Sequence, residues 1–471
     1  MLKLATHCLC LVLLTACSLH TPHELIAPEP PDQYIEQSSS ATSASPDSWW
    51  LSFNDPHLNR LMDELFAGNL ELKQAFARLE QSRALLSASN SSRYPTLNLE
   101  GQKGRSQQPQ LVGDATTDSW QVAASAAFEI DLWNRLASQH DAAAQDVSAS
   151  IEDTKTLYLS LSAQLASLYY QVIGQRAQLA LADQTIESFK ETLSLVENRY
   201  KKGLVGSIDV YQARQSLSQV RANRHASESA LAISEHAIAV LLGRYPDRQS
   251  AGDLHILPPV PDMFPTGLPA DLLAQRPDLQ AQLHRVAAAD ARIATAIAER
   301  FPRINLIGSY GRSHQEVTSG LIEGNFWNFL GQLTVPLLDA GRRKAEVTRS
   351  RAALDQAVSR YRQQVLIAFR EVEDALTRNR TTELRITQLA ATKRMTEATL
   401  RLARQRYRSG LTDYLPVLVA QRSNFDTHSQ LLSARQQLLT ERITLARALG
   451  GQWMNDHITQ RLITKKADSH E

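Results

Sequence analysis

The chain has 471 residues, of which 50 are Lys or Arg, 49 are Asp or Glu and 13 are His, for a formal net charge of +1. Because the charges balance, no global field favours a nucleic acid or an acidic partner, and we expect neither. All three cysteines, Cys8, Cys10 and Cys17, lie at the N-terminus. The rest of the chain therefore cannot form a disulfide within itself.

The N-terminus predicts a signal peptide at 1–16 and lipidation of Cys17. The apolar run ends at Leu14 and is too short to remain in a bilayer as a spanning helix. Leu-Thr-Ala-Cys at 14–17 resembles the lipobox of bacterial lipoproteins. In such lipoproteins an Asp after the lipidated cysteine tends to retain the protein in the inner membrane, so Ser18 favours the outer membrane. The alternative is an ordinary signal peptide followed by an unrelated cysteine.

Residues 17–48 predict an extended, lipid-anchored tether, because they are rich in Pro, Ser, Thr and Ala and show no period. Apolar residues at helical spacing then predict two short helices between 56 and 90, with a break at Gly68-Asn69. No stretch of about 20 apolar residues follows Cys17. A membrane crossing would therefore have to be made by strands.

Two long strands are predicted at about 94–106 and 118–131, because apolar residues alternate with polar ones there. A Gly-, Asp- and Thr-rich segment at 113–118 is the expected loop between them. One face of the second strand is apolar and consists of Trp120, Val122, Ala124, Ala126, Phe128 and Ile130. A strand of this kind suits a sheet with one face in lipid.

A long helical hairpin is predicted over about 135–243. Residues 135–200 contain no proline and one glycine, Gly174, and their apolar positions keep a heptad rhythm. About 65 helical residues make a rod of about 100 Å, which is longer than a globular domain needs. Gly203 is placed to end this rod in the left-handed conformation, after which a second helix returns.

The second half of the chain repeats the first at a constant offset of 207 residues. Equivalent pairs include Trp120 and Trp327, Arg135 and Arg342, Gly203 and Gly410, and Leu242 and Leu449. We therefore expect two tandem copies of one unit, each a strand hairpin followed by a helical hairpin. The predicted ranges are 49–246 for the first copy, 247–270 for a Pro-rich linker, 271–453 for the second copy (strands at about 301–313 and 325–338, helical hairpin at about 342–449) and 454–471 for a C-terminal tail.

The sequence contains none of the common catalytic motifs, such as a phosphate-binding glycine loop, a nucleophile elbow or a zinc-binding His-Glu-x-x-His. Glu371, Glu373 and Asp374 are interpreted as a solvated helix face. Isolated histidines on helices are more often surface or packing residues than metal ligands, and this applies to His140, His225 and His236. We therefore predict no active site, no metal site and no cofactor.

Four strands cannot close a membrane barrel, because the smallest such barrels have eight strands and open edges are not tolerated in lipid. Three copies would supply twelve strands and twelve main helices. The expected fold is therefore a mixed one, in which a homotrimer forms a 12-stranded membrane β-barrel and a 12-helix α-helical barrel. The alternative is a soluble coiled-coil lipoprotein whose strand hairpins pack on its own helices.

Several motifs together resemble those of the TolC-like outer-membrane factors, in the lipoprotein branch that serves resistance-nodulation-division efflux systems. Besides the lipobox they are Trp49-Trp50 with Phe53-x-Asp55, Arg-Tyr-Pro at 93–95, Phe-Glu-Ile-Asp-Leu-Trp-Asn-Arg at 128–135, Arg-Pro-Asp at 276–278, Pro-Leu-Leu-Asp-Ala-Gly-Arg-Arg at 336–343 and Ala-Gln-Arg at 420–422. The resemblance spans about 24–453. It implies a homotrimeric exit duct in outer-membrane lipid, not an enzyme, fed by an inner-membrane resistance-nodulation-division transporter through a periplasmic adaptor (membrane fusion) protein. Two alternatives remain: an outer-membrane duct for type I polypeptide secretion, and a non-channel periplasmic scaffold lipoprotein.

The resemblance also implies that the periplasmic tip of the tube is closed by rings of side chains. The corresponding positions are Tyr407, Leu415 and Arg422. Some members have an Asp before Ala-Gln-Arg, where this chain has Val419, so Asp413 and Asp209 are candidates to supply the missing negative charge. The hypothesis predicts that Asp413→Ala or Arg422→Ala alters conductance in a planar bilayer.

The turns of the two helical hairpins are the candidates for docking the adaptor, because they lie at the ends of the rods. They contain Gly203-Leu204 and Gly410-Leu411. The basic residues next to them, Lys201, Lys202, Arg406 and Arg408, have two interpretations. They either contact the adaptor or simply stabilise the C-terminal ends of the helices electrostatically.

Overall fold

The computed structural model describes residues 20–21, 23, 29–36, 48–109, 114–248, 251–317, 320–451, 453–455 and 458–459. After a 3-10 helix at Trp49–Phe53 the elements are α1 (Pro56–Gly68), α2 (Leu70–Ser91), β1 (Thr96–Pro109), β2 (Asp114–Ile130), α3 (Arg135–Lys201), α4 (Ser207–Leu241), α5 (Pro269–Gln275), α6 (Pro277–Ala298), β3 (Arg303–Val317), β4 (Gly320–Thr334), α7 (Arg342–Arg408) and α8 (Leu415–Leu449). The predicted signal peptide and Cys17 lie outside the described residues, as does most of the predicted tail.

The sequence repeat is also a repeat of helices. α7 begins and ends 207 residues after α3, and α6 begins and ends 207 residues after α2. Each long helix has basic residues in its last turn, where positive charge interacts favourably with the helix dipole. Two copies of one unit therefore follow each other along the chain.

The chain divides into two compact units. The first includes 77–152 and 279–363 and contains one antiparallel sheet with the strand order β1-β2-β3-β4. Residues at the same level on successive strands are Leu99, Ala124, Tyr310 and Trp327. Within the described residues β1 and β4 each pair with one strand only, so both edges of the sheet remain open.

The prediction of a loop over 113–118 is wrong for most of that range, because β2 begins at Asp114. Thr117, for example, lies opposite Ser106 in the β1–β2 ladder. Its neighbours are typical of a turn, but pairing along a long hairpin outweighs such local preferences. The first strand hairpin is therefore longer than the turn-forming residues at 113–118 indicate.

The last predicted strand is also shifted. β4 ends at Thr334 instead of continuing to 338, since Pro336 has no amide hydrogen to donate to a ladder. In the same way β1 begins at Thr96, after Pro95, and not at 94. Proline thus limits the sheet at both outer strands.

The second unit includes 29–76, 153–278 and 364–471. Part of its core is aromatic: Trp50 packs edge-on against Trp453 at 4.7 Å between ring centroids, and Phe53 stacks on Tyr170 at 5.3 Å. Asp55 caps α1 by accepting hydrogen bonds from the amides of His57 and Leu58. This aromatic core explains why the Trp-Trp-x-x-Phe-x-Asp motif occurs before the first helix.

The short helix α5 begins at the end of the predicted Pro-rich linker and lies mostly in the predicted second copy. The sequence did not indicate it separately. Earlier in the linker, the backbone is held by arginines from the helical hairpins. Arg176 of α3 donates to the carbonyl of Gly252 at 2.6 Å, and Arg442 of α8 donates to that of Pro261 at 3.1 Å. The linker therefore follows a defined path.

Residues 29–36, within the predicted tether, pack against α7. The Tyr34 side chain is buried, the amide of Ile35 donates to Glu373 at 2.8 Å, and Glu36 forms an ion pair with Arg380 at 2.8 Å. The interpretation of Glu373 as part of a solvated face is therefore wrong. A helix face that is polar in sequence is used here to bind another segment of the chain.

None of the helices within the described ranges has an apolar stretch long enough to cross a membrane.

Candidate functional site at the helical hairpin turns

The two hairpin turns have the same backbone geometry. Gly203 and Gly410 adopt φ values of 70° and 75°, in the left-handed region that favours glycine. The amides of Leu204 and Leu411 each donate to a carbonyl five residues earlier, at 3.0 and 2.9 Å, which closes the preceding helix. These leucines are 61% and 73% exposed. Both turns thus present an apolar side chain to solvent.

A hydrophobic cluster lies between the ends of the four helices that meet at the turns. Its buried members are Ile186, Phe189, Val196, Val210, Ala213, Leu217, Val220, Tyr407, Tyr414, Val417 and Leu418. Since they come from both hairpins, this cluster holds the second hairpin against the first. The sequence suggested Tyr407 as a ring-lining residue, whereas in the single chain it is part of this core.

Tyr407 and Tyr414 lie with their ring centroids 6.1 Å apart. Both hydroxyls are buried, and within the described part of the chain neither has a hydrogen-bond partner. Burial raises the pKa of Tyr407, and burial together with Tyr407 raises the pKa of Tyr414 to about 12. A buried hydroxyl without a protein partner is destabilising, so these two tyrosines contribute to the cluster mainly through their rings.

Arg199, at the end of α3, connects the two hairpins. Its guanidinium donates to the backbone carbonyl of Tyr407 and lies 4.6 Å from the centre of the Tyr407 ring. The equivalent residues of the other repeat, Arg406 and Tyr200, are both exposed and make no such contact with each other. The two repeats therefore differ at this point, although their sequences are alike.

The carboxylates at the turns do not pair with Arg422. Asp209 is partly buried, and burial together with the nearby Asp413 raises its pKa. Arg422 is exposed and donates to the Ser216 hydroxyl at 3.1 Å. Among the described residues no ion pair joins Arg422 to either Asp. Leu415 is also exposed, so the structure gathers the predicted residues at one end of the helices but buries only Tyr407.

A buried polar contact behind the cluster was not predicted. Gln421 donates to the hydroxyls of Ser188 and Thr192 at 3.2 and 3.0 Å, and Arg404 also donates to Ser188. Burial lowers the pKa of Arg404. The available signal was Gln421 itself, a polar residue that directly follows four apolar residues, 417–420, on α8.

The interactions at this site are apolar packing and hydrogen bonds between helices. In the described ranges no group of three or more His, Cys, Asp or Glu side chains is arranged to hold a metal ion. The side chains can form or release hydrogen bonds between the two hairpins. The predicted lipidation site, Cys17, lies outside the part that the structure describes.

Comparison with known proteins agrees with the repeat. OprJ, an outer membrane protein of Pseudomonas aeruginosa, is 33% identical over 453 residues, which cover 93% of this chain and 94% of OprJ. CusC, a cation efflux system protein of Escherichia coli, is 29% identical over 457 residues, covering 96% of this chain and 99% of CusC. The open state of the MtrE outer membrane channel of Neisseria gonorrhoeae has a TM-score of 0.81 at 25% identity, covering 92% of this chain and 98% of MtrE.

A family model described as outer membrane efflux protein matches residues 61–244 and again residues 268–451, so its two matches are separated by the same offset as the sequence repeat. The resemblance and the tandem-repeat fold derived from the sequence are thereby confirmed. The chain belongs to the outer membrane efflux protein family.

Proposed function

We propose that this chain is the outer-membrane exit duct of a tripartite efflux pump. The observation that carries the proposal is the double match to the outer membrane efflux family, over a fold of two strand hairpins and two long helical hairpins. The duct conducts passively, because energy is supplied by an inner-membrane resistance-nodulation-division transporter. A periplasmic adaptor joins the two. The chain is thus a conduit and not an enzyme.

The active form that we propose is a homotrimer anchored to the outer membrane through acylated Cys17. The sheet of one chain has four strands, and both of its edges are open within the described residues. Open edges in lipid leave backbone groups unsatisfied, and twelve strands from three chains would satisfy them. The same three chains contribute twelve long helices to a tube.

Planar-bilayer conductance, measured on the purified lipidated protein together with its oligomeric mass, tests the proposal. We expect trimers with small, gated currents. A non-conducting monomer would support a periplasmic scaffold lipoprotein instead. Co-purification with an ABC-type exporter and a secreted polypeptide would support the type I secretion duct.

We also propose that the contacts at the hairpin turns keep the periplasmic end of the duct closed. Arg199 holds the carbonyl and ring of Tyr407. Asp209, Asp413 and Leu415 lie at or next to the hairpin turns, and Arg422 lies within the first turns of α8. The partly buried Asp209 lies close enough to Asp413 for the two charges to repel each other. Separating the hairpins would relieve this repulsion and break the Arg199 contact.

The Arg199→Ala variant is expected to raise the open fraction of the channel about tenfold or more. A hydrogen bond to a charged group contributes about 1.5–3 kcal/mol, and about 1.4 kcal/mol corresponds to a tenfold change in an equilibrium. Single-channel recordings at fixed voltage measure the open fraction. Arg406→Ala is the matched control, since it removes the equivalent arginine of the other repeat, which does not contact a tyrosine. Equal behaviour of the two variants would contradict the closing role of Arg199.

For the adaptor we propose docking at the turns that contain Gly203-Leu204 and Gly410-Leu411. Their exposed leucines offer an apolar contact at each hairpin. Leu411→Asp is expected to reduce co-purification of the adaptor severalfold while the trimer remains intact. Undiminished co-purification of Leu204→Asp/Leu411→Asp would place the docking surface elsewhere.

A further inference from the structure

The exposed apolar face of the sheet changes character along its length. Toward the helices it consists of hydrocarbon and aromatic side chains that are exposed in the single chain: Leu97, Leu99, Tyr310, Trp327 and Phe329. Toward the hairpin loops, every strand has charged side chains on the same face, with Leu321 of β4 as an apolar exception. The change occurs on all four strands, within two residues of the same level.

A single row of cross-strand neighbours marks the change. Lys103 lies opposite Trp120, Trp120 opposite His314, and His314 opposite Glu323. The Trp120 and His314 rings stack at 5.7 Å with an angle of 12° between their planes. His314 Nδ1 lies 3.4 Å from a Glu323 carboxylate oxygen. The row thus joins an aromatic ring to charged groups across the whole sheet.

Further charges flank this row on the same face. Arg312 forms an ion pair with Glu323 at 2.6 Å, and Arg105 lies 3.6 Å from Asp118. Both arginines are largely exposed, with 60% and 74% of their side chains accessible. Long basic side chains of this kind extend their charge toward water while their stems cover apolar surface.

The other face of the sheet shows no such change. It is mostly polar or small along β1, β2 and β3, on both sides of the row. Examples are Asn98, Gln102, Gln121, Ser125, Ser309 and Ser313. A face that is polar throughout suits a water-filled interior. The face that changes from apolar to charged is therefore the one expected to contact a bilayer, whose interior is apolar and whose surface is polar.

The distance between the ends of the apolar region fits a bilayer. Ile130 pairs with Ile304 at one end, and Trp120 pairs with His314 ten residues away at the other. Ten residues extend about 33 Å along a strand, and about 25 Å across a membrane at a tilt of about 40°. An apolar band about 25 Å tall, flanked by aromatic residues, is typical of membrane barrels.

We propose that the row Lys103–Trp120–His314–Glu323 lies at the outer limit of the hydrocarbon layer, with Lys103 and Arg105 in the layer of lipid headgroups. Arg312 lies two residues below the row and reaches it through its ion pair with Glu323. The strands continue beyond it to Pro109 and Gly320, so both hairpin loops stand outside the hydrocarbon. The partner of this face is the bilayer: acyl chains below the row, and polar headgroups at and above it. This inference rests on the proposed membrane location of the sheet.

Single-cysteine variants test the inference, since every native cysteine lies at or before position 17. Leu99→Cys, Arg105→Cys and Gln102→Cys are spin-labelled in phospholipid vesicles, after their trimeric mass has been checked. Accessibility to oxygen is then compared with accessibility to a water-soluble nickel chelate. We expect the label at 99 to be more accessible to oxygen, and the labels at 105 and 102 to be more accessible to the chelate. The ratio of the two accessibilities should differ severalfold between 99 and 105. Phe329→Cys adds a position on β4, at the level of Leu97 and thus two residues farther from the loops than Leu99.

Two results would overturn the inference in different ways. Oxygen dominance at both 99 and 105 would place the limit of the hydrocarbon closer to the loops, while leaving the membrane sheet intact. Chelate dominance at 99 and at 329 would mean that this face is not in lipid, and would also contradict the proposed function.

Discussion

Replacing Arg176 with glutamate is expected to lower the free energy of unfolding by about 3–5 kcal/mol, the usual loss when a buried ion pair is broken from one side. Arg176 and Glu235 are both buried and lie 2.8 Å apart. Arg176 also donates to the carbonyls of Gly252 and Leu254, at 2.6 and 3.3 Å. The substitution would leave two carboxylates facing each other and would release the linker.

The other repeat shows how this loss can be reversed. The residues 207 positions after Arg176 and Glu235 are Glu383 and Arg442, which form the same ion pair with the charges exchanged. Arg442 in turn donates to the linker carbonyl of Pro261 at 3.1 Å. The fold therefore accommodates the arginine on either helix of the pair, with the glutamate on the other. We expect Arg176→Glu/Glu235→Arg to recover most of the stability that Arg176→Glu loses.

Urea unfolding in detergent, analysed as a double-mutant cycle, measures this coupling. Arg214→Glu is the matched control, since Arg214 and Glu197 pair at 2.7 Å between the same two helices but are far more exposed, at 58% and 34%. Exposed pairs contribute about 0.2–1 kcal/mol, so this variant is expected to change little. A double variant that is no more stable than Arg176→Glu would contradict the equivalence of the two repeats.

Arg276→Ala is expected to lower the free energy of unfolding by a similar amount, about 3–5 kcal/mol, because it removes the cation shared by two partly buried carboxylates. Arg276 is the first residue of the Arg-Pro-Asp motif. Its side chain is 7% exposed and pairs with Asp278 and Glu371, each at 2.8 Å. It also donates to the carbonyl of Ala448, near the end of α8, at 3.0 Å. One side chain thus connects the start of α6, the middle of α7 and the end of α8.

The same urea experiment measures this loss, with Arg378→Ala as the control. Arg378 lies on the same helix as Glu371, but its pair with Asp374 is exposed and 3.9 Å long. Arg276→Lys should fall between the two, because an ammonium group cannot bond two carboxylates as a planar guanidinium does. If Arg276→Ala unfolds at the same urea concentration as Arg378→Ala, the motif does not stabilise the fold.

The sequence by itself determined the features that depend on neighbours along the chain. The 207-residue repeat, the break at Gly68-Asn69, the glycines that close the long helices and the apolar faces of the strands are all local patterns. Each is read from a periodicity or from a residue with special backbone freedom, and such preferences act within a few residues. The ends of the long helices could therefore be predicted closely, because glycine imposes them.

Only the tertiary structure decided which of two similar residues is buried or paired. Tyr200 and Tyr407 occupy equivalent positions, yet Tyr200 is exposed and Tyr407 lies in a core, because Arg199 and other residues of the first hairpin pack on Tyr407. Likewise Glu371 and Glu373 appear solvated in sequence but bind Arg276 and the amide of Ile35. Such choices depend on contacts between residues that are far apart in the chain, and their free energies do not appear in any local pattern.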